Sequence, residues 1–277
     1  MTDAAVSVTR TAWRGTASVE SERLVAEETA VALTYNRATH AVMLATPADL
    51  EDFAYGFSLS EGIIGQTSDI AALEVVTVPA GIELRMDLAV DRLDALTRRQ
   101  RRIAGPSGCG LCGLDSLAAA MRPGPSVPAG PDLTPEMIQV AMQSLAPAQT
   151  LHAATRAVHA AAFWTPMRGL VALREDVGRH NALDKLAGAL TRSGAALHEG
   201  AVLLSSRISV EMVQKAATLG TSVVIAVSAP TALAIRTADA AGITLIGIAR
   251  SDGFEVFTHA HRVVRPQTVV QAKRHVA

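Results

Sequence analysis

The stretch AVLLSSRISVEMVQKAATLGTSVVIAVSAPTALAIRTADAAGITLIGIA, residues 201–249, alternates strand-like with helix-like segments. The runs AVLLS, SVVIAV and ITLIGIA are apolar without polar alternation, which is typical of strands buried on both faces. The segments between them, VEMVQKAATLG and PTALAIRTADAAG, carry apolar residues at helical spacing. Strands that alternate with helices predict a mostly parallel sheet covered by helices on its faces, and therefore an α/β fold.

The same alternation of strand-like and helix-like segments extends upstream through GLVALR (169–174) and NALDKLAGAL (181–190), and a proline- and glycine-rich stretch precedes it. That stretch, RPGPSVPAGPDLTP at 122–135, predicts a linker between two lobes. The first third of the chain indicates strands around one helix, with hairpins at Asn36-Arg37 and at Pro79-Ala80-Gly81. We therefore predict three parts in chain order: a smaller N-terminal α+β lobe over 1–104, a cysteine loop with a following short helix and linker over 105–134, and an α/β lobe over 135–277.

Polar residues follow each buried strand at its carboxyl end. The four segments are REDVGRHN (174–181), SSRIS (205–209), SAPT (228–231) and RSDG (250–253). In open α/β sheets ligands bind beyond these strand ends, and helix N-termini there bind phosphate. Taken singly, the segments are ordinary caps and turns. Together on one edge, they favour an anionic, nucleotide-like ligand, with charge-assisted contacts from Arg179, Arg207 and Arg250.

The composition indicates a compact α/β protein and excludes several classes. The chain has 277 residues, of which 49% are hydrophobic and 3% aromatic, with a formal net charge of −1. Such a chain lacks both the electrostatic field and the stacking surface of a nucleic-acid-binding protein. It shows no apolar signal segment and no run near the roughly 20 residues that span a membrane. We expect a cytoplasmic protein, away from membranes, whose thiols are reduced.

Both cysteines lie in GPSGCGLCGLDS, residues 105–116. A structural zinc site needs four ligands, and the chain has no second cysteine pair, so we predict no structural metal. A structural disulfide is disfavoured in a reducing compartment. The residues leave two interpretations open, a redox pair and a sulfur carrier that bears a persulfide. A glycine-bounded loop suits a group that meets two partners, and the basic run 98–102 is suited to lowering a thiol pKa or attracting an acidic protein.

Several motifs together resemble the FdhD family of formate dehydrogenase accessory sulfurtransferases. They are GFSLSEGII, GCGLCG, REDVGRHNALDKL, SSRISVEMVQKAA and SAPTALAI, and the likeness covers nearly the whole chain. The resemblance implies a C-terminal lobe with a cytidine-deaminase-like α/β/α fold. It also implies transfer of sulfur from a cysteine desulfurase to a substrate, the molybdenum bis(molybdopterin guanine dinucleotide) cofactor, before that cofactor enters formate dehydrogenase.

The same resemblance assigns roles to particular residues. Cys109 matches the position that carries the persulfide, and Cys112 matches its partner. The segment ARSDGF matches the part of the family that binds the guanylyl dinucleotide, and it comprises Ala249, Arg250, Ser251, Asp252, Gly253 and Phe254. It falls on the strand ends already predicted to bind an anion. Arg179, His180 and Arg207 complete the candidate cofactor-binding set, and a structural role is an equal alternative for His180.

The chain departs from zinc deaminases and, at one position, from the usual family pattern. Deaminases need a glutamate two residues after a histidine, but Ala161 stands two residues after His159, so deaminase activity does not follow from the fold. The family usually has Thr-Gly where this chain has Thr155-Arg156, which is expected to change a turn or narrow the local pocket, and contact of Arg156 with a phosphate is the alternative. We interpret Lys185 and the i,i+4 pair Glu211–Lys215 as helix-surface residues.

The sequence thus predicts a sulfurtransferase in which Cys109 accepts sulfur, acting as a homodimer whose paired sites suit a two-armed cofactor. A cofactor-binding chaperone with incidental cysteines is one alternative, and it predicts that Cys→Ala variants still activate formate dehydrogenase. A thiol–disulfide oxidoreductase is another, and it predicts a reversible Cys109–Cys112 disulfide without any need for nucleotide.

Overall fold

The computed structural model describes residues 3–89 and 125–265, which form two packed lobes and a β-ribbon. The strands are β1 (Ala5–Arg14), β2 (Ala17–Ala26), β3 (Thr29–Tyr35), β4 (Ala38–Ala45), β5 (Ile70–Val78), β6 (Gly81–Leu88), β7 (His159–Thr165), β8 (Gly169–Asp176), β9 (Ala201–Leu204), β10 (Val223–Ala226), β11 (Thr244–Arg250) and β12 (Gly253–Val256). The helices are α1 (Leu50–Ser60), α2 (Pro135–Ala148), α3 (Thr150–Thr155), α4 (Arg179–Arg192), α5 (Val210–Leu219) and α6 (Ala232–Ala241).

The C-terminal lobe is built on a six-stranded sheet of order β12-β11-β10-β9-β7-β8. β9, β10 and β11 pair in parallel, whereas β7 is antiparallel to both of its neighbours and β12 is antiparallel to β11. The prediction of a mostly parallel sheet is wrong, because β7 inserts between β8 and β9. β8 still runs in the same direction as β9, β10 and β11, since two successive antiparallel pairings restore the strand direction.

Helices cover both faces of this sheet, as the unbroken apolar strands predict. α2 packs on one face through Ile138, Ala141 and Leu145, and α4, α5 and α6 pack on the other. Side chains alternate between the faces of a strand, so the neighbours Ala162 and Phe163 of β7 belong to different cores. The sequence therefore predicted the α/β class correctly.

The N-terminal lobe is a four-stranded sheet of order β4-β3-β6-β5 packed against α1. Both predicted hairpins form: β3 turns into β4 at Asn36 and Arg37, which adopt positive φ, and β5 turns into β6 before Gly81. Phe53 and Phe57 of α1 fill the space between helix and sheet. The opposite face of the sheet is exposed and mixes charged side chains such as Arg85 with the apolar Val42 and Leu44, which are 62% and 58% exposed.

The two lobes meet where α1 crosses α4. A methyl group at Gly56 would collide with the backbone carbonyl of Asp184, and one at Gly188 would collide with that of Asp52. Glycine at both positions lets the two helix backbones approach closely. Ion pairs flank this contact, including Arg174 to Asp52 at 2.7 Å, so the lobes are joined by packing and charge together.

Two further segments complete the described chain. Residues 125–134, most of the proline- and glycine-rich stretch 122–135, lie on the C-terminal lobe, where Leu133 is buried and bridges to Val263. β1 and β2 form a separate ten-pair antiparallel ribbon. The ribbon is largely exposed, and Arg23 near its base donates to the carbonyl of Thr155 at 3.2 Å.

Candidate functional site

Four loops converge on one edge of the six-stranded sheet. Because β8, β9, β10 and β11 run in the same direction, their carboxyl ends lie on the same edge of the sheet, as the sequence predicts, with β7 between β8 and β9. We call this edge the strand-end rim and define it by residues 176–180, 205–211, 227–231 and 249–254. β8 and β11 are four strand spacings apart in the sheet. At about 4.8 Å per spacing the distance is roughly 19 Å, so only an extended ligand contacts the whole rim.

Two helix N-termini open onto the rim without a side-chain cap. The cap residues of α4 and α5 are Gly178 and Ser209, and neither makes a side-chain hydrogen bond to its helix. By contrast, α2 and α6 are capped by Thr134 and Thr231. Uncapped N-termini present free N–H groups and the positive end of the helix dipole, an arrangement that binds anions.

Four buried polar atoms near these two N-termini have no hydrogen-bond partner within the described part of the chain. They are Arg179 Nε, His180 Nε2, Ser209 Oγ and Glu211 Oε2. Buried polar groups in proteins are paired in the great majority of cases, and leaving one unpaired costs about 1–3 kcal/mol. Four such atoms at the N-termini of α4 and α5 make this part of the rim a candidate site for a polar ligand.

Arg179 and His180 are the first two residues of α4, at one end of the rim. Burial lowers the pKa of His180 to about 4, and the positive charges of Arg179 and Lys215 contribute to the shift. Burial and Arg179 likewise lower the pKa of His159, at the start of β7. Both imidazoles are thus neutral at neutral pH, so the guanidinium of Arg179 supplies the positive charge at this end of the rim.

The interpretation of Glu211 and Lys215 as an exposed i,i+4 pair is wrong. Their exposed fractions are 9% and 7%. Lys215 Nζ instead contacts Asp184 Oδ1 at 2.9 Å, Ser60 Oγ at 2.8 Å and Glu61 Oε1 at 3.2 Å. These contacts use the three donors of the ammonium group, so none is left for Glu211. Sequence reasoning missed the burial of Glu211 and Lys215, because nothing in the local pattern shows that Lys215 binds residues at the end of α1.

Lys185 is also not a surface residue. Its side chain is fully buried, as is that of Asp176, and Nζ lies 2.6 Å from Asp176 Oδ2. Asp176 Oδ1 accepts from Gly178 N at 2.8 Å and from Asn181 Nδ2 at 3.0 Å. Asp176 therefore holds the turn that leads into α4, and it positions Arg179 through the backbone rather than by direct contact.

The segment that resembles the guanylyl-binding part of the family forms the turn between β11 and β12. Arg250, Ser251 and Asp252 are exposed at its tip, and Gly253 has a φ of 153°. Ala249 is buried in the core beneath the sheet and Phe254 packs against that same core. The exposed side chains available to a ligand are therefore those of residues 250–252.

Arg207 lies between these two ends of the rim. It is exposed in the loop from β9 to α5, and its carbonyl accepts from Ser206 Oγ at 3.1 Å. The next residue, Ile208, is buried and pairs in a short bridge with Pro230 of the neighbouring loop. The arginine side chain is thus carried on an anchored backbone, as a phosphate-binding group requires.

Arg156 occupies the position at which the family usually has glycine. It follows α3 in the left-handed conformation, with φ 62° and ψ 20°, and its side chain is exposed. Glycine is the residue that adopts this conformation at a helix end without steric cost. Arg156 thus adopts a backbone conformation that glycine would also allow, and the effect of the replacement on the local pocket stays a prediction.

Cys109, Cys112 and the basic run 98–102 lie outside the described residues. Within residues 3–89 and 125–265, no cluster of three or more His, Cys, Asp or Glu side chains is placed to hold a metal ion. Over the same residues, no helix is long and apolar enough to cross a membrane.

Comparison with known sequences gives matches along almost the whole chain. The model of the FdhD/NarQ family matches residues 26–264. The sulfur carrier protein FdhD of Agrobacterium fabrum is 52% identical over 258 residues, covering 93% of this chain and 95% of that protein. The sulfur carrier protein FdhD of Cupriavidus necator is 50% identical over 252 residues, covering 91% and 87%.

A solved structure has the same fold. A candidate formate dehydrogenase accessory protein of Desulfotalea psychrophila superimposes with a TM-score of 0.73 at 24% identity, covering 95% of this chain and 100% of that protein. The similarity supports a mixed α/β fold.

Proposed function

The chain belongs to the FdhD/NarQ family, and from this membership we propose that it is a sulfur carrier that serves formate dehydrogenase. Its substrate is the molybdenum bis(molybdopterin guanine dinucleotide) cofactor, and it acts on that cofactor before insertion into the enzyme. The observation that carries the proposal is about 50% identity, over nearly the full chain, to proteins named sulfur carriers. The pair Cys109 and Cys112 supplies the thiols that such a role needs.

The first chemical step is acceptance of sulfur by Cys109. Its thiolate attacks the outer sulfur of a persulfide on a cysteine desulfurase. A new S–S bond forms on Cys109, the desulfurase S–S bond breaks, and the desulfurase cysteine leaves as a thiolate. The reaction is thiol exchange on a sulfur–sulfur bond, so its rate depends on the thiolate fraction of the attacking cysteine.

The second step is delivery, in which Cys112 acts as the resolving thiol. Attack of its thiolate on the inner sulfur of the Cys109 persulfide forms a Cys109–Cys112 disulfide. The terminal sulfur leaves as sulfide, which the molybdenum centre accepts, and a cellular thiol then reduces the disulfide. Two electrons from the two cysteines thus convert the carried sulfur to sulfide.

The strand-end rim supports binding of such a substrate. The uncapped N-termini of α4 and α5 suit phosphate oxygens, and Arg179, Arg207 and Arg250 add positive charge along the rim. A dinucleotide arm is long enough to use several of these groups at once. Holding both arms would place the metal within reach of the persulfide, so the protein contributes by positioning. A homodimer would supply paired rims for the two arms.

The proposal is tested by activation of a formate dehydrogenase that is expressed without its own accessory protein. Cys109→Ala is expected to abolish activation, and Arg250→Ala to reduce it. Arg236→Ala is the matched control, because Arg236 is an exposed arginine in the middle of α6, away from the strand ends. Full activation by the Cys109→Ala protein would favour the chaperone alternative and contradict the proposal.

A further inference from the structure

The ribbon of β1 and β2 has no third strand among the described residues. Its two strands pair only with each other there, and most of their side chains are exposed. A two-stranded ribbon is at best marginally stable in water by itself, and it gains stability when another surface packs on it. The family model begins at residue 26, the last residue of the ribbon, so the ribbon lies outside the segment that this model matches.

The two faces of the ribbon carry opposite charge. Residues directly opposite each other in an antiparallel pair point to the same face, so the register assigns each side chain to one face. The face that we call the basic face has three arginines, three exposed valines and no acidic residue, and it comprises Val6, Val8, Arg10, Ala12 and Arg14 of β1 and Ala17, Val19, Ser21, Arg23 and Val25 of β2. The opposite face carries Glu20 and Glu22 and no basic residue. Arginines around exposed apolar side chains suit a protein interface with an acidic partner.

The basic face is connected to the β8 end of the strand-end rim. From this face Arg23 donates to the carbonyl of Thr155, the last residue of α3, at 3.2 Å. The other end of α3 is bound to β8, because two N–H groups in its first turn donate to the carboxylate of Glu175, each at 2.8 Å. Glu175 directly precedes Asp176, the first residue of the rim. A protein that approaches this end of the rim therefore meets the basic face as well.

The ribbon is too small to form a stable interface by itself. Each strand has ten residues. At a rise of about 3.3 Å per residue and a width of about 10 Å for two strands, one face offers roughly 300 Å². Each partner contributes about 800 Å² to an interface of standard size. A protein bound to the basic face must therefore also contact the body of the molecule beside it, which includes the β8 end of the rim.

We propose that the basic face docks the formate dehydrogenase that receives the cofactor, through an acidic and partly apolar surface of that enzyme. The inference rests on the proposed function, because that function supplies the client protein. The position favours the client over the cysteine desulfurase, since the rim is where the cofactor is bound before it is handed over. Arg10 and Arg14, both exposed on the part of the ribbon beyond Arg23, attract the client over a distance and hold it at the rim.

The test measures association of the full-length protein with purified formate dehydrogenase that lacks its cofactor, at low and at physiological salt. Arg10→Glu combined with Arg14→Glu reverses two charges on the basic face. We expect the association rate to fall about 10-fold or more at low salt and to depend less on salt, because charge attraction raises association rates by about 10-fold to 1,000-fold. Sulfur loading of this variant by a cysteine desulfurase should equal that of the parent.

Arg168→Glu combined with Arg236→Glu is the matched control. It changes the net charge by the same amount at two exposed arginines away from the ribbon, one in the turn between β7 and β8 and one in the middle of α6. The control should keep most of the association rate of the parent, and thermal melting verifies that both double variants are folded. An unchanged rate in the ribbon variant, or an equal fall in both double variants, would overturn the inference.

Two further results would assign the ribbon to another partner and would also overturn the inference. Loss of sulfur loading in the ribbon variant would assign it to the cysteine desulfurase, and loss of self-association in sedimentation would assign it to a second copy of the chain. Failure of the inference remains distinct from failure of the proposed function. A parent that loads sulfur, with client binding that survives in the ribbon variant, removes only the inference. Ribbon-dependent client binding by a parent that does not load sulfur removes only the proposed sulfur transfer.

Discussion

Lys185 Nζ lies 2.6 Å from Asp176 Oδ2, and both side chains are completely buried between the two lobes. The pair holds the backbone of Thr46 at both of its polar groups: Lys185 donates to the Thr46 carbonyl at 2.8 Å, and Asp176 accepts from its N–H at 3.0 Å. Thr46 directly follows β4 of the N-terminal lobe. The most distinctive motif of the sequence, REDVGRHNALDKL, is thus in part a connection between the lobes and in part the start of the strand-end rim.

Removal of one member of this pair should unfold or strongly destabilise the protein. Lys185→Met leaves Asp176 as an unpaired buried charge, and breaking a buried pair in this way costs about 3–5 kcal/mol. The free energy of unfolding in urea measures the loss. The control is Arg85→Met, because the ion pair of Arg85 with Glu83 is about half exposed and such pairs contribute at most about 1 kcal/mol. Equal stability of the Lys185→Met and parent proteins would show that the buried pair does not join the lobes.

Arg156→Gly should stabilise the protein. Arg156 is exposed and holds a left-handed conformation that favours glycine, so the substitution relieves backbone strain and removes no packing. We expect a gain of about 0.5–1 kcal/mol, visible as a higher melting temperature. Arg168→Gly, in an exposed turn without positive φ, should give no gain. A loss of stability in Arg156→Gly would mean that the arginine side chain contributes contacts of its own.

His180 should make the protein less stable in mild acid. Burial, with the nearby charges of Arg179 and Lys215, holds the pKa of His180 at about 4 in the folded protein, against 6.5 for the ordinary imidazole. Between these two values the unfolded chain binds a proton that the folded chain does not, so stability decreases as the pH falls from 6.5 to 4. The full effect of one such group is roughly 3 kcal/mol.

The measurement is urea unfolding of the parent and of His180→Gln at several pH values across this window. The variant should lose less stability than the parent as the pH falls, whereas His198→Gln, at an exposed histidine, should follow the parent. Parallel curves for the parent and His180→Gln would contradict the lowered pKa.

Patterns that depend on neighbouring residues predicted much of the fold. The apolar runs identified β8 to β11, the turn residues identified both N-terminal hairpins, and the polar segments after the strands identified the rim. The insertion of β7 was not predictable from such patterns. His159–Thr165 pairs with β8 in a local hairpin, whereas its pairing with β9 depends on contacts between segments that are distant in the sequence. A parallel and an antiparallel neighbour would bury the same apolar residues of β7, so the apolar pattern does not distinguish the two.

The lysines and Glu211 show where sequence reasoning about the site stops. Helical spacing correctly places Glu211 and Lys215 on one helix face, but that face is covered by α1, which is about 150 residues away in the sequence. Once covered, Lys215 pairs with Asp184 and Glu61 rather than with Glu211. When a distant segment buries a charged helix face, the charged side chains gain new partners, and the local sequence pattern does not show this.

Sulfur loading is the measurement that bears most directly on the proposed function. The parent, Cys109→Ala and Cys112→Ala proteins are incubated with a cysteine desulfurase and cysteine, and their intact masses are compared before and after reduction. We predict a reducible gain of one sulfur atom on the parent and on Cys112→Ala, and none on Cys109→Ala. Absence of the gain from all three proteins, with their thiols accessible to an alkylating reagent, would contradict sulfur carriage and leave a cofactor-binding chaperone.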